Sequence, residues 1–268
     1  MIDLRDKLFQ TISGQHFQAS LTVEDDGILS GVESALERSG QLGISLKLYK
    51  EAGAVISSGE KIGTLTASPK KMAMAEESII GTLAKASGIA TAAQKAVQLS
   101  ENRVRIVSGS WKKMPPETKH LVRRAVICGG AHFRICDDPM IYLDKNYIRM
   151  LGSIPEALTA AGRFADHIKV IQIRGFDNTV ETETSQAVSG GSKIIMVDTG
   201  SIGDLNSCLK ALEELNVRNQ VQVAFAGDVK ISDIPRLLQY DIDILCIGKE
   251  IVDARLLDMK LDVTGREE

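Results

Sequence analysis

Short apolar runs alternate with helical spacing over most of the second half of this chain. The runs are Val104–Val107, Met140–Leu143, Ile168–Ile173, Ile194–Val197, Val221–Phe225 and Asp243–Ile247. Between them, apolar positions recur at three- and four-residue spacing over 116–127, 154–165, 178–190, 203–216 and 231–239. Runs of that length bounded by turn residues read as strands, and the longer spacing as helices. Strands that alternate with helices predict a parallel sheet covered on its outside, and so regular a series predicts a barrel or part of one. The first half is less regular. Apolar runs at Ile44–Leu48, Ala54–Ile56 and Lys61–Ala67 sit among glycine-rich turns, and helical spacing covers 31–38 and 70–100. Leu257–Val263 is a last strand with no helix after it, which suits a return to the first domain. The expected organisation is a mixed α/β domain at 1–101, rejoined by 256–268, and a barrel domain at 102–255.

Composition narrows the class. The chain has 268 residues, 44% hydrophobic and 25% charged, the profile of a soluble globular protein. Only 4% are aromatic, so the core must be aliphatic. A formal charge of -3 gives no reason to expect nucleic acid or a membrane surface as partner. No apolar run approaches the roughly 20 residues of a spanning helix, and the first residues lack signal-peptide architecture. Cys128, Cys136, Cys208 and Cys246 lack metal-ligand spacing. Free thiols in a reducing cytoplasm are the expectation.

Barrels of this kind hold their chemistry at the C-terminal ends of the strands. That rule selects Ser108, Ser110, Lys112 and Lys113 after the first run, and Asp144, Lys145 and Asn146 after the second. It selects Gln172 and Arg174, then Asp198, Thr199 and Gly200, then Gly227 and Asp228, and last Gly248 and Lys249. Gly227 and Gly248 suit a phosphate approaching the backbone, or simply tight strand-to-helix turns. Asp198 is either a helix cap or a catalytic or metal-linked acid. Lys112 and Lys113 are either active or a solvated charge pair. In Cys128–Arg134 the glycines break a helix and present His132 and Arg134, a pair suited to a planar carboxylate. Cys136, Asp137 and Asp138 look like turn chemistry.

Several segments, in order, resemble the quinolinate phosphoribosyltransferases. Glu76–Thr91 is similar to that family's helix and Ser-Gly-Ile-Ala-Thr turn. Asp25–Gly31, Gly53–Ala67, Cys128–Gly130, Met196–Asp198, Gly227, Gly248 and Leu257–Val263 fall where further family motifs are expected. The resemblance implies an N-terminal α/β sandwich domain followed by an incomplete (β/α) barrel of the type II phosphoribosyltransferase kind. It implies a homodimer whose active site is shared between subunits. It implies joining of quinolinate to phosphoribosyl pyrophosphate, with Mg²⁺, to give nicotinate mononucleotide, carbon dioxide and pyrophosphate. On this resemblance Lys112, Lys113 and Asp198 are catalytic, with Asp198 also on the metal side. Arg134, His132, Lys145, Gln172, Arg174 and Glu77 fall at substrate positions, and Gly227, Asp228, Gly248 and Lys249 at phosphate positions.

The chain also departs from the family pattern, and the departures cluster on charged groups. Glu77 stands where the family has a partner-contributed arginine, and Trp111-Lys112-Lys113 replaces a Thr-Arg-Lys segment. Asp144 aligns with a lysine, Tyr147 with a histidine, and Gln172 and Arg174 with two glutamates. Two other readings follow: a related transferase with a different acceptor, or a ligand-binding homologue without catalysis.

Overall fold

The computed structural model describes residues 3–267. The chain divides into two compact units. The first takes the described residues up to Lys95, Trp111–Ala131, and the segment from Ile251 onward; the second takes Ala96–Ser110 and His132–Glu250. Glu268, at the end of the expected 256–268 segment, lies outside the described residues, as do Met1 and Ile2.

The first unit is built on an antiparallel sheet. Its strands are β1 (Phe17–Val23), β3 (Ser45–Leu48), β5 (Lys61–Ala67) and β12 (Met259–Arg266), in the order β12-β1-β5-β3. β2 (Gly27–Ile28) and β4 (Val55–Ile56) form a separate short ribbon. Period-two alternation puts Ala19, Leu21 and Val23 of β1 on one buried face, beside Ile62 and Leu65 of β5. The helical run from Pro69 to Leu99 supplies Met72, Ala75, Ile79 and Leu83 to the same core. Each of the valine, leucine, isoleucine and methionine side chains contributes about 1.5–3 kcal/mol on full burial. The run includes one wide turn at Glu76–Ile80, where the helix takes i to i+5 spacing.

The Ser87–Thr91 segment is not a turn. It lies inside the helix Gly81–Leu99, and its residues are explained by what they touch. Ser87 Oγ accepts from Ser30 N–H at 2.9 Å, and Thr91 Oγ1 accepts from Ile28 N–H at 2.9 Å. A side chain at Gly88 would meet the Arg255 carbonyl at 2.0 Å. Leu257 N–H, just beyond, donates to Ala84 O at 3.0 Å. These residues therefore weld the helix to β2 and to the segment leading into β12.

The second unit is a six-stranded parallel sheet. Its strands are β6 (Arg105–Val107), β7 (Met140–Leu143), β8 (Ile168–Ile173), β9 (Ile194–Asp198), β10 (Gln222–Ala226) and β11 (Ile244–Cys246). The order β6-β11-β10-β9-β8-β7 brings the first strand beside the last, so the sheet curls and its opening falls between β6 and β7. His132 forms a single parallel bridge to Val107 on that side. Alternate residues of the strands form one interior cluster: Val107, Val170, Ile194, Met196, Ala224, Ala226 and Ile244, joined by Ile135 and Cys136. The unit is an incomplete barrel with a packed interior. Its C-terminal strand ends form the mouth.

Candidate active site

Inward register places Gln172 and Asp198 one step beyond that interior cluster, at the mouth. Gln172 is buried and tied at both ends of its amide. Lys145 N–H donates to its Oε1 at 2.7 Å, and its Nε2 donates to the Asp198 carboxylate. The two readings of Asp198 are now separated at one point. Ser201 caps the helix Ile202–Glu214, its hydroxyl accepting from Asp204 N–H at 3.2 Å, so Asp198 is not the cap. Asp144, by contrast, is a cap: it accepts from Asn146 and Tyr147 N–H at 2.8 and 3.1 Å and starts the helix Lys145–Leu151. The Tyr142 hydroxyl donates to Met196 Sδ at 3.1 Å. Burial pushes this phenol well above its usual range, and the charges of Cys246, Asp198 and Asp144 push the same way. It stays neutral and donates.

The loops after β9 and β10 are pressed together. Gly200 N–H donates to Ala226 O at 2.9 Å. Gly227 has φ +108°, and a Cβ there would lie 2.2 Å from Gly200 N. A Cβ at Gly248 would lie 2.1 Å from Ser110 Oγ. Gly227 is thus required by close approach to backbone, whereas the neighbour of Gly248 is a serine hydroxyl that can turn aside. Asp228 has φ +56° and pairs with Lys230 Nζ at 2.7 Å; that hydrogen bond holds its carboxyl below the usual range. Lys249 is exposed at the start of the short helix Lys249–Val252.

His132 and Arg134 go to different partners. Arg105 Nη2 donates to His132 Nδ1 at 2.8 Å and to Asp137 Oδ2 at 2.8 Å. A guanidinium can only donate, so Nδ1 accepts and the His132 ring is neutral in this arrangement. Burial, then the Arg105 charge, lowers the His132 pKa. Arg105 opens β6, at the end of the sheet opposite the mouth. Arg134 Nη2 donates to Asp138 O at 3.4 Å.

Lys112 and Lys113 belong to the first unit, in the 3₁₀ turn Ser110–Lys113 beside Trp111. The Arg123 guanidinium lies 4.9 Å from the Trp111 ring centre. Glu77 sits in the wide turn of the long helix and pairs with Arg5 Nη2 at 2.6 Å.

Sequence reasoning missed Glu183, which is 4% exposed. Its carboxylate accepts from Arg174, Gly175 and Phe176 N–H at 2.8, 2.9 and 3.2 Å and so shapes the loop after β8. It missed Arg105 and Arg149 too. A signal existed for Arg149, which follows Lys145 by one helical turn on the same face.

Among the described residues, no three His, Cys, Asp or Glu side chains converge as a metal cage. One carboxylate, Asp198, suits Mg²⁺ only in the form in which the ion keeps its waters and is held largely by phosphate oxygens.

An antiparallel N-terminal sheet followed by a curled parallel barrel, with polar groups at the strand ends, defines a type II phosphoribosyltransferase fold. Residues 6–87 match the N-terminal domain and residues 89–262 the C-terminal domain of quinolinate phosphoribosyl transferase, so the chain belongs to that family. It is 26% identical over 266 residues to the probable carboxylating nicotinate-nucleotide pyrophosphorylase of Methanothermobacter thermautotrophicus, covering 94% of this chain and 90% of that one. The human carboxylating nicotinate-nucleotide pyrophosphorylase is 22% identical over 253 residues, covering 93% and 83%. Among solved structures, the nicotinate-nucleotide pyrophosphorylase of Ehrlichia chaffeensis superposes with a TM-score of 0.81 at 19% identity, over 96% of this chain and 92% of that one.

Proposed function

We propose that the chain is a phosphoribosyltransferase that joins quinolinate to phosphoribosyl pyrophosphate, releasing pyrophosphate and carbon dioxide. The observation that carries this reading is family membership over both domains, combined with a polar mouth centred on Asp198 and Gln172. The roles follow from what the reaction demands. Positive charge develops at the ribose carbon as pyrophosphate leaves, and the Asp198 carboxylate is the acid suited to stabilise it. Gln172 fixes the Asp198 orientation through its amide N–H. Lys112 and Lys113 offer cations to the leaving pyrophosphate. Arg134 and Lys145, with Arg174, offer them to ring carboxylates. Gly227, Asp228, Gly248 and Lys249 form the loops for the 5′-phosphate. Mg²⁺ would reach Asp198 with the pyrophosphate and neutralise its charge. A homodimer is part of this reading.

A second reading keeps the transferase and changes the acceptor. It is favoured by Glu77, whose carboxylate is turned to Arg5, and by Gln172 and Arg174 where carboxylates stand in the family pattern. An acceptor with a cationic or hydrogen-bond-donating group fits Glu77. Glu77→Arg should then weaken acceptor binding; unchanged binding removes this reading. The primary reading is tested by incubating the purified protein with both substrates and Mg²⁺ and identifying nicotinate mononucleotide by chromatography. Absence of product from folded protein at millimolar substrate would defeat it.

A further inference from the structure

Between the helix Lys145–Leu151 that follows β7 and the loop after β8 lies a cavity of about 60 Å³ on the rim of the second unit. Lys145, Arg149, Gln172, Arg174, Phe176 and Gln186 are among the residues that line it. Its charges do not balance. Among the described residues, none of Lys145, Arg149 and Arg174 makes an ion pair with a carboxylate within 4.0 Å, although such pairs are common elsewhere in the chain. Two carboxylates line the cavity. That of Glu183 is spent on three backbone N–H groups, and Asp177 is exposed to solvent.

The two arginines share one aromatic ring. The Arg174 guanidinium lies 4.7 Å and that of Arg149 5.7 Å from the Phe176 centre. Cation–π attraction holds each guanidinium over the ring but supplies neither with a counter-charge. Arg174 Nε is buried and has no hydrogen-bond acceptor, an arrangement that natural proteins rarely leave uncompensated. An oxyanion in the cavity would answer both deficits, neutralising cations that line it and accepting from the guanidinium donors. The volume is right for a compact group. At ~10–15 Å³ per water-sized site, it has room for roughly four to six such sites. That is the scale of one phosphoryl or carboxyl group, not of a whole nucleotide.

We propose that Arg149 and Arg174, aligned by Phe176 and with Lys145 beside them, form an oxyanion subsite on the barrel rim that takes a single phosphoryl or carboxyl group. Glu183 is the positioning residue, because it fixes the loop that carries Arg174 and Phe176. The subsite deepens the transferase reading by adding Arg149 to the Lys145 and Arg174 assigned there to substrate carboxylates, while anion binding itself stands on the charge and geometry of the cavity.

The test is isothermal titration calorimetry of the full chain at low ionic strength with inorganic phosphate, pyrophosphate and quinolinate, each added alone. At least one should bind saturably, and raising the salt should weaken it. Arg149→Met and Arg174→Met, each checked for fold by circular dichroism, should weaken that binding at least tenfold. Arg149→Lys should give an intermediate loss, because it keeps charge without the bidentate geometry. Phosphate or pyrophosphate binding assigns the subsite to phosphoryl groups; binding by quinolinate alone assigns it to carboxylates. The proposal is overturned if none of the three binds. It is also overturned if folded Arg149→Met and Arg174→Met bind like the parent, which would place the anion elsewhere. Neither outcome depends on turnover, so a failed transferase assay leaves this test intact.

Discussion

The Gln172–Asp198 contact sets the electrostatics of the mouth, because an amide stands where a second acid would leave two carboxylates facing each other. An amide donates to Asp198 and places no second acid beside it. Gln172→Glu should reverse this. Two carboxylates at that separation cannot both ionise easily, so one apparent pKa of the pair should rise above the ordinary range. A carboxyl raised on folding favours the folded state only while protonated. The variant should therefore lose stability relative to the parent as pH climbs from about 4 to 8, read as the difference in melting temperature. A pH-independent difference would show that the two groups are not coupled. The Cys208 thiol titrates too. Burial pushes it up to about 11. Burial leaves it little thiolate at neutral pH, and its contribution to stability is lost only as pH rises from the ordinary value near 9.0 toward about 11. A thiol reagent at neutral pH should label the partly exposed Cys128 and Cys246 before Cys208. Equal rates would contradict the burial.

At the scale of elements, two glycines make opposite predictions from the same substitution. Gly227→Ala forces a Cβ into the Gly200 backbone at a positive φ, and it should cost at least about 2 kcal/mol in denaturant unfolding. Gly40 lies inside the helix Val32–Leu42, and a methyl group there would meet nothing within 4 Å, so Gly40→Ala should stabilise by about 0.5–1 kcal/mol. The elements themselves were largely legible. Met140–Leu143 and Ile168–Ile173 coincide with β7 and β8, because buried parallel strands are near-continuous apolar runs cut off by turn residues. The helix Lys145–Leu151 was not foreseen. It has only seven residues, too few for a periodic apolar pattern, and Asp144 caps its start. The helix read over 231–239 is in fact a 3₁₀ turn, Ile231–Asp233, followed by Ile234–Leu237. The family resemblance named Ser87–Thr91 a turn, but it lies within the helix that spacing predicts over 70–100, where its serine, glycine and threonine serve contacts made across the helix.

At the scale of the whole molecule, the order of motifs was enough to name the fold and the family, since fold depends on many weak positional constraints that survive substitution. The candidate site was less legible. Gln172, Asp198 and Gly227 converge at one mouth because strand register puts them there, and register can be read from alternation. His132 and Arg134 are two residues apart in sequence, and no sequence pattern shows that Arg105 and Asp138 claim them separately. Glu183 was hidden for a similar reason, since its partners are backbone N–H groups, which leave no trace in side-chain identity. The central claim is that a mouth with these substitutions still transfers a phosphoribosyl group to quinolinate. The direct measurement is pyrophosphate release by the purified protein with phosphoribosyl pyrophosphate, Mg²⁺ and quinolinate, run beside Asp198→Asn. The account predicts quinolinate-dependent release in the parent and a fall of about a hundredfold or more in the variant. No release from the folded parent, or equal release from both proteins, would contradict it.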